Sequence, residues 1–262
     1  MGIAAEIADD GHAALAALAW EVEAGADETI LDAPVNRYEL AAEAPKPLSA
    51  KPVSPPVAAD PVQADPVAAA RSAAARAQTL DALRDAISGF DLCELKKGAR
   101  NTVFADGNAK ARVLILGEAP GAEEDREGRP FVGRAGQLLD RMFAAIGLSR
   151  TSPDSEAAFY ITNVMPWRPP GNRDPDPAEI AMMMPFVERH IALVDPQVIV
   201  AVGNTSLFAL TGSKGILRAR GNWTQALGKP LLPMTHPAYL LRNPAAKREA
   251  WADLLSLQQR LR

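Results

Sequence analysis

Residues 111–121 read ARVLILGEAPG, and this stretch decides the fold. Ala111 to Leu116 is an apolar run of strand length, closed abruptly by Gly117, Pro120 and Gly121. A short, nearly continuous apolar run bounded by such residues is the pattern of a strand buried on both faces. Three more runs of the same kind follow, at Phe159 to Asn163, Val198 to Val202 and Leu231 to Met234. Helical patterns at Gln137 to Ile146, Pro177 to Leu193, Thr205 to Thr211 and Ala245 to Leu261 alternate with them. That rhythm predicts an α/β fold, a three-layer α/β/α sandwich with a mainly parallel central sheet. In such a sheet ligands sit beyond the carboxyl ends of the strands, where the polar motifs of this chain lie.

Outward from this core the chain changes character. Ala75 to Ile87 reads as one further helix, closed by Ser88 and Gly89. Before it, seven prolines fall between Pro45 and Pro66, a composition that favours an extended linker in which no strand or helix is expected. Ahead of the prolines, Leu15, Leu18 and Val22 recur at helical spacing beside Trp20 and suggest a short amphipathic helix. The expected organisation is an acidic segment over 1–44, a linker over 45–70 and one domain over 71–262. Residues 1–70 hold 12 Asp/Glu and 3 Lys/Arg, a balance of −9, whereas residues 71–262 hold 25 Lys/Arg and 20 Asp/Glu, a balance of +5. A mildly basic domain permits a polyanionic partner without demanding one. The chain has one cysteine, Cys93, which excludes a disulfide framework or a cysteine-rich metal site built within one chain. With an N-terminus that is acidic before its apolar stretch, and no apolar run of about 18 residues, a monomer in the bacterial cytoplasm or nucleoid is expected.

Glycines at the end of the first strand let backbone amides approach a flat or anionic ligand closely. The spacing from Gly117 to Gly136 fits neither the dinucleotide fingerprint nor the P-loop, which disfavours a nucleotide cofactor. Asn163 closes the second strand with a planar donor and acceptor, the complement of a pyrimidine's N3–H and O4, although an asparagine there also serves to cap a loop. His236 follows the fourth strand beside Pro237. A lone histidine is commonly structural, but this one shares its sheet edge with Asn163 and the glycine loop.

In order along the chain, GEAPG (117–121), EED (123–125), GRPFVG (128–133), AG (135–136), the Asn163 segment ending in RPPGNR (168–173) and HPAYLLR (236–242) resemble the family 4 uracil-DNA glycosylases over about residues 90–262. The resemblance implies an enzyme that flips uracil out of DNA and hydrolyses its N-glycosidic bond to leave an abasic site. A damage-sensing DNA binder without activity is the alternative. It implies roles for Glu118, Asn163 and His236 in catalysis, and for Gly117, Ala119, Pro120, Gly121, Glu124 and Phe131 in lining the uracil pocket, with Phe131 as the stacking aromatic. Glu118 would help to place a water, while Asn163 and His236 would donate to the departing base. Cytosine would be refused by mismatched hydrogen bonds at Asn163, and the thymine methyl by lack of space beside Glu124 and Gly121. Arg168, Arg173, Tyr239, Leu240, Leu241 and Arg242 would meet DNA, the turn from Tyr239 to Arg242 entering the duplex.

The chain departs from that family in one respect above all. The family holds a four-iron cluster on four cysteines, and the matching positions here are Phe90, Cys93, Trp167 and Met183. Phenylalanine, tryptophan and methionine supply no thiolate, so no cofactor is expected, and the four side chains are expected to pack as an apolar plug. The KRRIH insertion of a related, covalently trapped subgroup is absent from the run GNRDPDPAEI, so self-trapping on DNA is not expected.

Overall fold

The computed structural model describes residues 65–262. The amphipathic pattern at Leu15 to Val22 and nearly all of the proline run lie outside these residues. Among the described residues six strands form one sheet in the order β1-β3-β2-β4-β6-β5. They are β1 (Ala105–Gly107), β2 (Val113–Gly117), β3 (Phe159–Asn163), β4 (Val198–Val202), β5 (Thr224–Ala226) and β6 (Lys229–Met234). The four long strands run parallel, while β1 and β5 pair antiparallel at the two edges. The edge strands are three residues each and carry no apolar run, so periodicity gave them no signal.

Alternation along the strands builds the two cores. Leu114, Leu116, Ile199 and Ala201 face one layer, packed with Leu83, Phe186 and Ile191. Val113, Ile115, Val198 and Val200 face the other, packed with Leu139, Phe143, Leu254 and Leu257. The first layer is supplied by α1 (Pro66–Arg76), α2 (Leu80–Ser88) and α6 (Pro177–Val194), the second by α5 (Arg134–Ala144) and α10 (Lys247–Leu261). The remaining helices are short: α3 (Leu95–Gly98), α4 (Ala122–Glu127), α7 (Asn204–Thr211), α8 (Ile216–Ala219) and α9 (Pro237–Arg242). The three-layer sandwich expected from the sequence is the architecture observed.

Two expectations need correction. The single helix expected over Ala75 to Ile87 is two helices, because Thr79 is in extended backbone and its hydroxyl accepts from the Ala82 amide at 3.1 Å, which starts α2 afresh. The linker expected to reach residue 70 gives way to α1 at Pro66. Asp65 accepts from the Val67 amide at 3.0 Å, and proline in a first helical turn has its φ preset and loses no needed donor. The last proline of the run therefore opens a helix that packs on α6 rather than extending the linker.

The order β3-β2-β4 places consecutive strands on opposite sides of β2, so the switch point of the sheet lies between β2 and β4. The segments after β2, β3, β4 and β6 all emerge at this one edge. No helix among the described residues is long and apolar enough to cross a membrane.

Candidate active site

At that edge is a recess of about 660 Å³ whose walls include Glu118, Gly121, Glu124, Phe131, Thr235 and His236. Ala119 and Pro120 complete the floor contributed by the loop after β2. Two other depressions, of about 520 Å³ each, are more open, and one of them shares Phe131 with the recess.

Asn163 ends β3 and is buried, yet neither Nδ2 nor Oδ1 has a hydrogen-bond partner. A fully orphaned buried amide is rare in a folded protein because each lost partner costs about 1–3 kcal/mol. Asn163 does not line the recess itself; it lines a separate cavity of about 10 Å³ shared with Val164, Met183 and His190. Gly117, its pairing neighbour on β2, makes room for it: a Cβ there would collide with Asn163 Oδ1 and with the Phe131 ring. On the other side of the site, the Phe131 ring centroid is 5.5 Å from that of His236. Asn163 and His236 thus adjoin the same aromatic ring.

His236 caps the N-terminus of α9, its Nδ1 accepting from the Ala238 amide at 3.1 Å. That bond leaves the ring proton on Nε2. Burial pushes the imidazole down to about 4, with Arg242 acting in the same sense and Glu124 opposing it, so the ring is neutral near pH 7. Gly203, at φ 98°, gives the turn after β4 a backbone conformation that other residues rarely adopt, in contact with His236.

Glu118 follows β2, and its Oε2 accepts from the Thr205 hydroxyl at 2.6 Å. Thr205 lies in α7, immediately after β4, so this bond spans the switch point of the sheet. Burial raises the Glu118 carboxyl above the ordinary range, the Thr205 bond opposes that rise and Asp174 adds to it. Glu124 lines the recess but spends its oxygens on backbone: Oε1 accepts from the Val132 and Gly133 amides at 2.9 Å each, and Oε2 from Gly121 at 3.1 Å. It fastens the loop that carries Phe131 to the loop after β2. Phe131 itself has φ 54°, unusual for a bulky residue, and its carbonyl accepts from Arg150 Nη2 at 3.0 Å.

The residues expected on the DNA side divide. Tyr239 and Arg242 line the recess, as does Arg173, whose guanidinium is held bidentately by Glu179 at 2.7 and 2.9 Å. Arg168 donates from Nε to Asn172 at 2.8 Å. Leu241 is partly buried. Leu240 requires a correction: it is wholly buried against Leu138 and Ala250, so it is not available to enter a duplex. Because Tyr239 to Arg242 is helical, its side chains fan around an axis, and one leucine must face the protein.

Sequence reasoning missed Thr205, Arg150 and the rim residue Leu217. Thr205 had a usable signal, since β4 was the one long strand whose end had been left without a candidate. Arg150 had none, because its partners Asp106, Pro130, Phe131 and Asp140 are distant in sequence or unremarkable.

Phe90, Cys93, Trp167 and Met183 are all buried within one core cluster. Phe90 meets Phe186 edge-on with centroids 5.3 Å apart, and the Trp167 indole donates to Thr102 Oγ1 at 3.1 Å. Beside Met183 the remaining cavity is about 10 Å³, on the order of one water molecule. One thiol, raised above its ordinary pKa by burial, is the sole group in the set that could become a thiolate. Among the described residues no group of three or more His, Cys, Asp or Glu side chains converges as a metal site. These residues do not fit a four-iron cluster.

A family model described as the uracil DNA glycosylase superfamily matches residues 104–255. The Type-4 uracil-DNA glycosylase of Thermotoga maritima is 40% identical over 169 residues, covering 63% of this chain and 85% of that protein. The Type-4 enzymes of Saccharolobus solfataricus and Pyrobaculum aerophilum are 36% and 35% identical over 192 and 190 residues, covering 86% and 91% of those proteins.

Proposed function

The chain belongs to the uracil-DNA glycosylase superfamily as a type-4 member, and from that premise we propose that the recess at the β2–β4 edge is where uracil is held and cut from DNA. The protein is a DNA-repair glycosylase. One observation carries the site assignment: the buried, unpartnered amide of Asn163, whose donor and acceptor are free for a ligand that offers both.

In this reading uracil leaves the stack, because the bond to be cut is out of reach inside a duplex. The Phe131 ring shifts so that the base lies against it, with N3–H given to Asn163 Oδ1 and O4 receiving Nδ2–H. O2 receives the Nε2–H of neutral His236. As the C1′–N1 bond breaks, its electron pair stays with uracil, and donors at O2 and O4 meet charge that grows toward the transition state. The water that forms the new C1′–O bond is placed by Glu118, which takes up its proton. Ala119 offers no second carboxylate beside it. A single chain suffices, since each of these groups comes from one domain.

Incubating the full chain with a uracil-containing oligonucleotide and then with hot alkali tests the reading. Strand breaks at the uracil are expected; intact DNA at high protein concentration would leave only a binder without activity.

A pH profile tests the assignment of Glu118. The carboxyl must be ionised to accept a proton, and burial raises its pKa, so kcat/KM should fall on the acid side above the ordinary carboxylate range. His236, at about 4, contributes nothing to that limb near neutrality. Thr205→Val removes the bond that opposes the rise, so the acid limb should move to higher pH, and Thr205→Ser should restore it. A limb unmoved in the valine variant would detach Glu118 from the rate.

We also propose that the chain works without an iron–sulfur cluster, its place taken by the packed side chains of Phe90, Cys93, Trp167 and Met183. Metal analysis of active protein should find no stoichiometric iron. Met183→Leu, which conserves volume, should change stability by less than about 1.5 kcal/mol and leave activity intact. Iron in proportion to protein, or its loss with this substitution, would overturn the proposal.

A further inference from the structure

Leu240 is buried, and the rim of the recess carries a more exposed apolar side chain elsewhere. Leu217 on α8 is 56% exposed, the most exposed of the large apolar side chains among the described residues, and it lines the recess. A single exposed leucine is ordinary. This one is held in a built mount. Asn204, at the start of α7, accepts from the Gly215 and Ile216 amides at 3.1 and 2.9 Å, fixing the turn before Leu217. Gly215 has φ 104°, a conformation that other residues rarely adopt, and Ile216 is buried as the anchor. The turn therefore presents Leu217 outward on a pinned base.

Its neighbours have the charge that a nucleic-acid backbone would meet. From Lys214 to Arg220 the segment carries Lys214, Arg218 and Arg220 and no acidic residue. Arg220 turns inward to Asp253 and Glu249, whereas Lys214 and Arg218 are exposed and enter no ion pair among the described residues. An apolar tip between two exposed cations that enter no ion pair, Lys214 resting over the Phe208 ring at 5.1 Å, at the mouth of the recess, matches the chemistry of a wedge on duplex DNA: cations on phosphates, the apolar side chain in the space left by the extruded nucleotide.

We propose that Leu217 is a wedge of this glycosylase, seated by Lys214 and Arg218 on the phosphates flanking the uracil. The inference rests on the recess being the uracil site. A wedge acts only where there is a stack to open, so its effect separates duplex from single-stranded substrate.

The test compares kcat/KM on the same uracil oligonucleotide in the two forms. For Leu217→Ala the duplex to single-strand ratio should fall roughly tenfold relative to the unmodified chain, and Leu217→Met should restore it. Lys214→Gln with Arg218→Gln should weaken binding to both forms and reduce the salt dependence of duplex binding. A ratio within about twofold of the unmodified chain for Leu217→Ala, at a temperature where the variant is folded by circular dichroism, would overturn the inference. An unmodified chain that releases uracil from neither form would remove the uracil-site reading and the inference together. An active chain with an unchanged ratio removes the inference alone.

Discussion

Asn163→Ala should lower uracil release by about 10²–10³-fold while leaving the protein as stable as before, or more so. The two halves of this expectation have one cause. The amide is buried with no hydrogen-bond partner from the protein, a cost of about 1–3 kcal/mol that the alanine variant does not bear. A residue kept for folding would show the opposite balance. His236→Ala should cost activity on a similar scale, since it removes the donor to O2, but it also removes the side-chain cap of α9 and should cost about 1 kcal/mol of stability. Single-turnover alkali cleavage for activity and urea unfolding for stability separate the two cases. Near-normal excision by either variant would take the uracil from this recess. A marked loss of stability in Asn163→Ala would return the amide to the role of a loop cap.

How much of this could be read from the chain depends on how local each cause is. The four long strands were legible because each is a short apolar run between breaking residues, and two of them, Phe159–Asn163 and Val198–Val202, have the boundaries their composition suggested. The strand-end rule then brought Glu118, Asn163 and His236 to one edge. What escaped has a longer reach. Leu240 and Leu241 are indistinguishable in a motif, and only the packing of α9 on α5 decides which is buried. Glu124 was read as a pocket carboxylate, yet its work is to hold three amides, and the loop conformation that brings those amides to it has no sequence signature. Arg150 is the extreme case, a residue outside every motif that determines how a motif residue stands.

That role gives the second large expectation: Arg150→Met should both destabilise the protein and impair its action on uracil. The guanidinium is nearly buried and donates to the Pro130 carbonyl at 2.9 Å, the Phe131 carbonyl at 3.0 Å, Asp140 at 2.8 Å and Asp106 at 3.1 Å. Removing one partner of a buried ion pair costs about 3–5 kcal/mol, but Asp140 remains half exposed and is rehydrated, which puts the expected loss at the lower end. The local consequence falls on Phe131. A left-handed backbone at a bulky residue costs on the order of 1–3 kcal/mol, and it survives here because Arg150 binds the carbonyl side of the loop while Glu124 binds the amides that follow. Gly136 is part of the same device, since a Cβ there would run into the Phe131 carbonyl. Without Arg150 the loop relaxes and the stacking ring leaves its place, so kcat/KM should drop by roughly 10–100-fold, the worth of one base on one aromatic side chain. Arg150→Lys should not rescue it, because a single ammonium cannot reach two carbonyls and two carboxylates in one plane. Kinetics measured well below the variant's melting temperature keep the two effects apart. Unfolding at lower denaturant with unchanged kcat/KM would make Arg150 a strut of the fold, with no hold on the ring against which the base must lie.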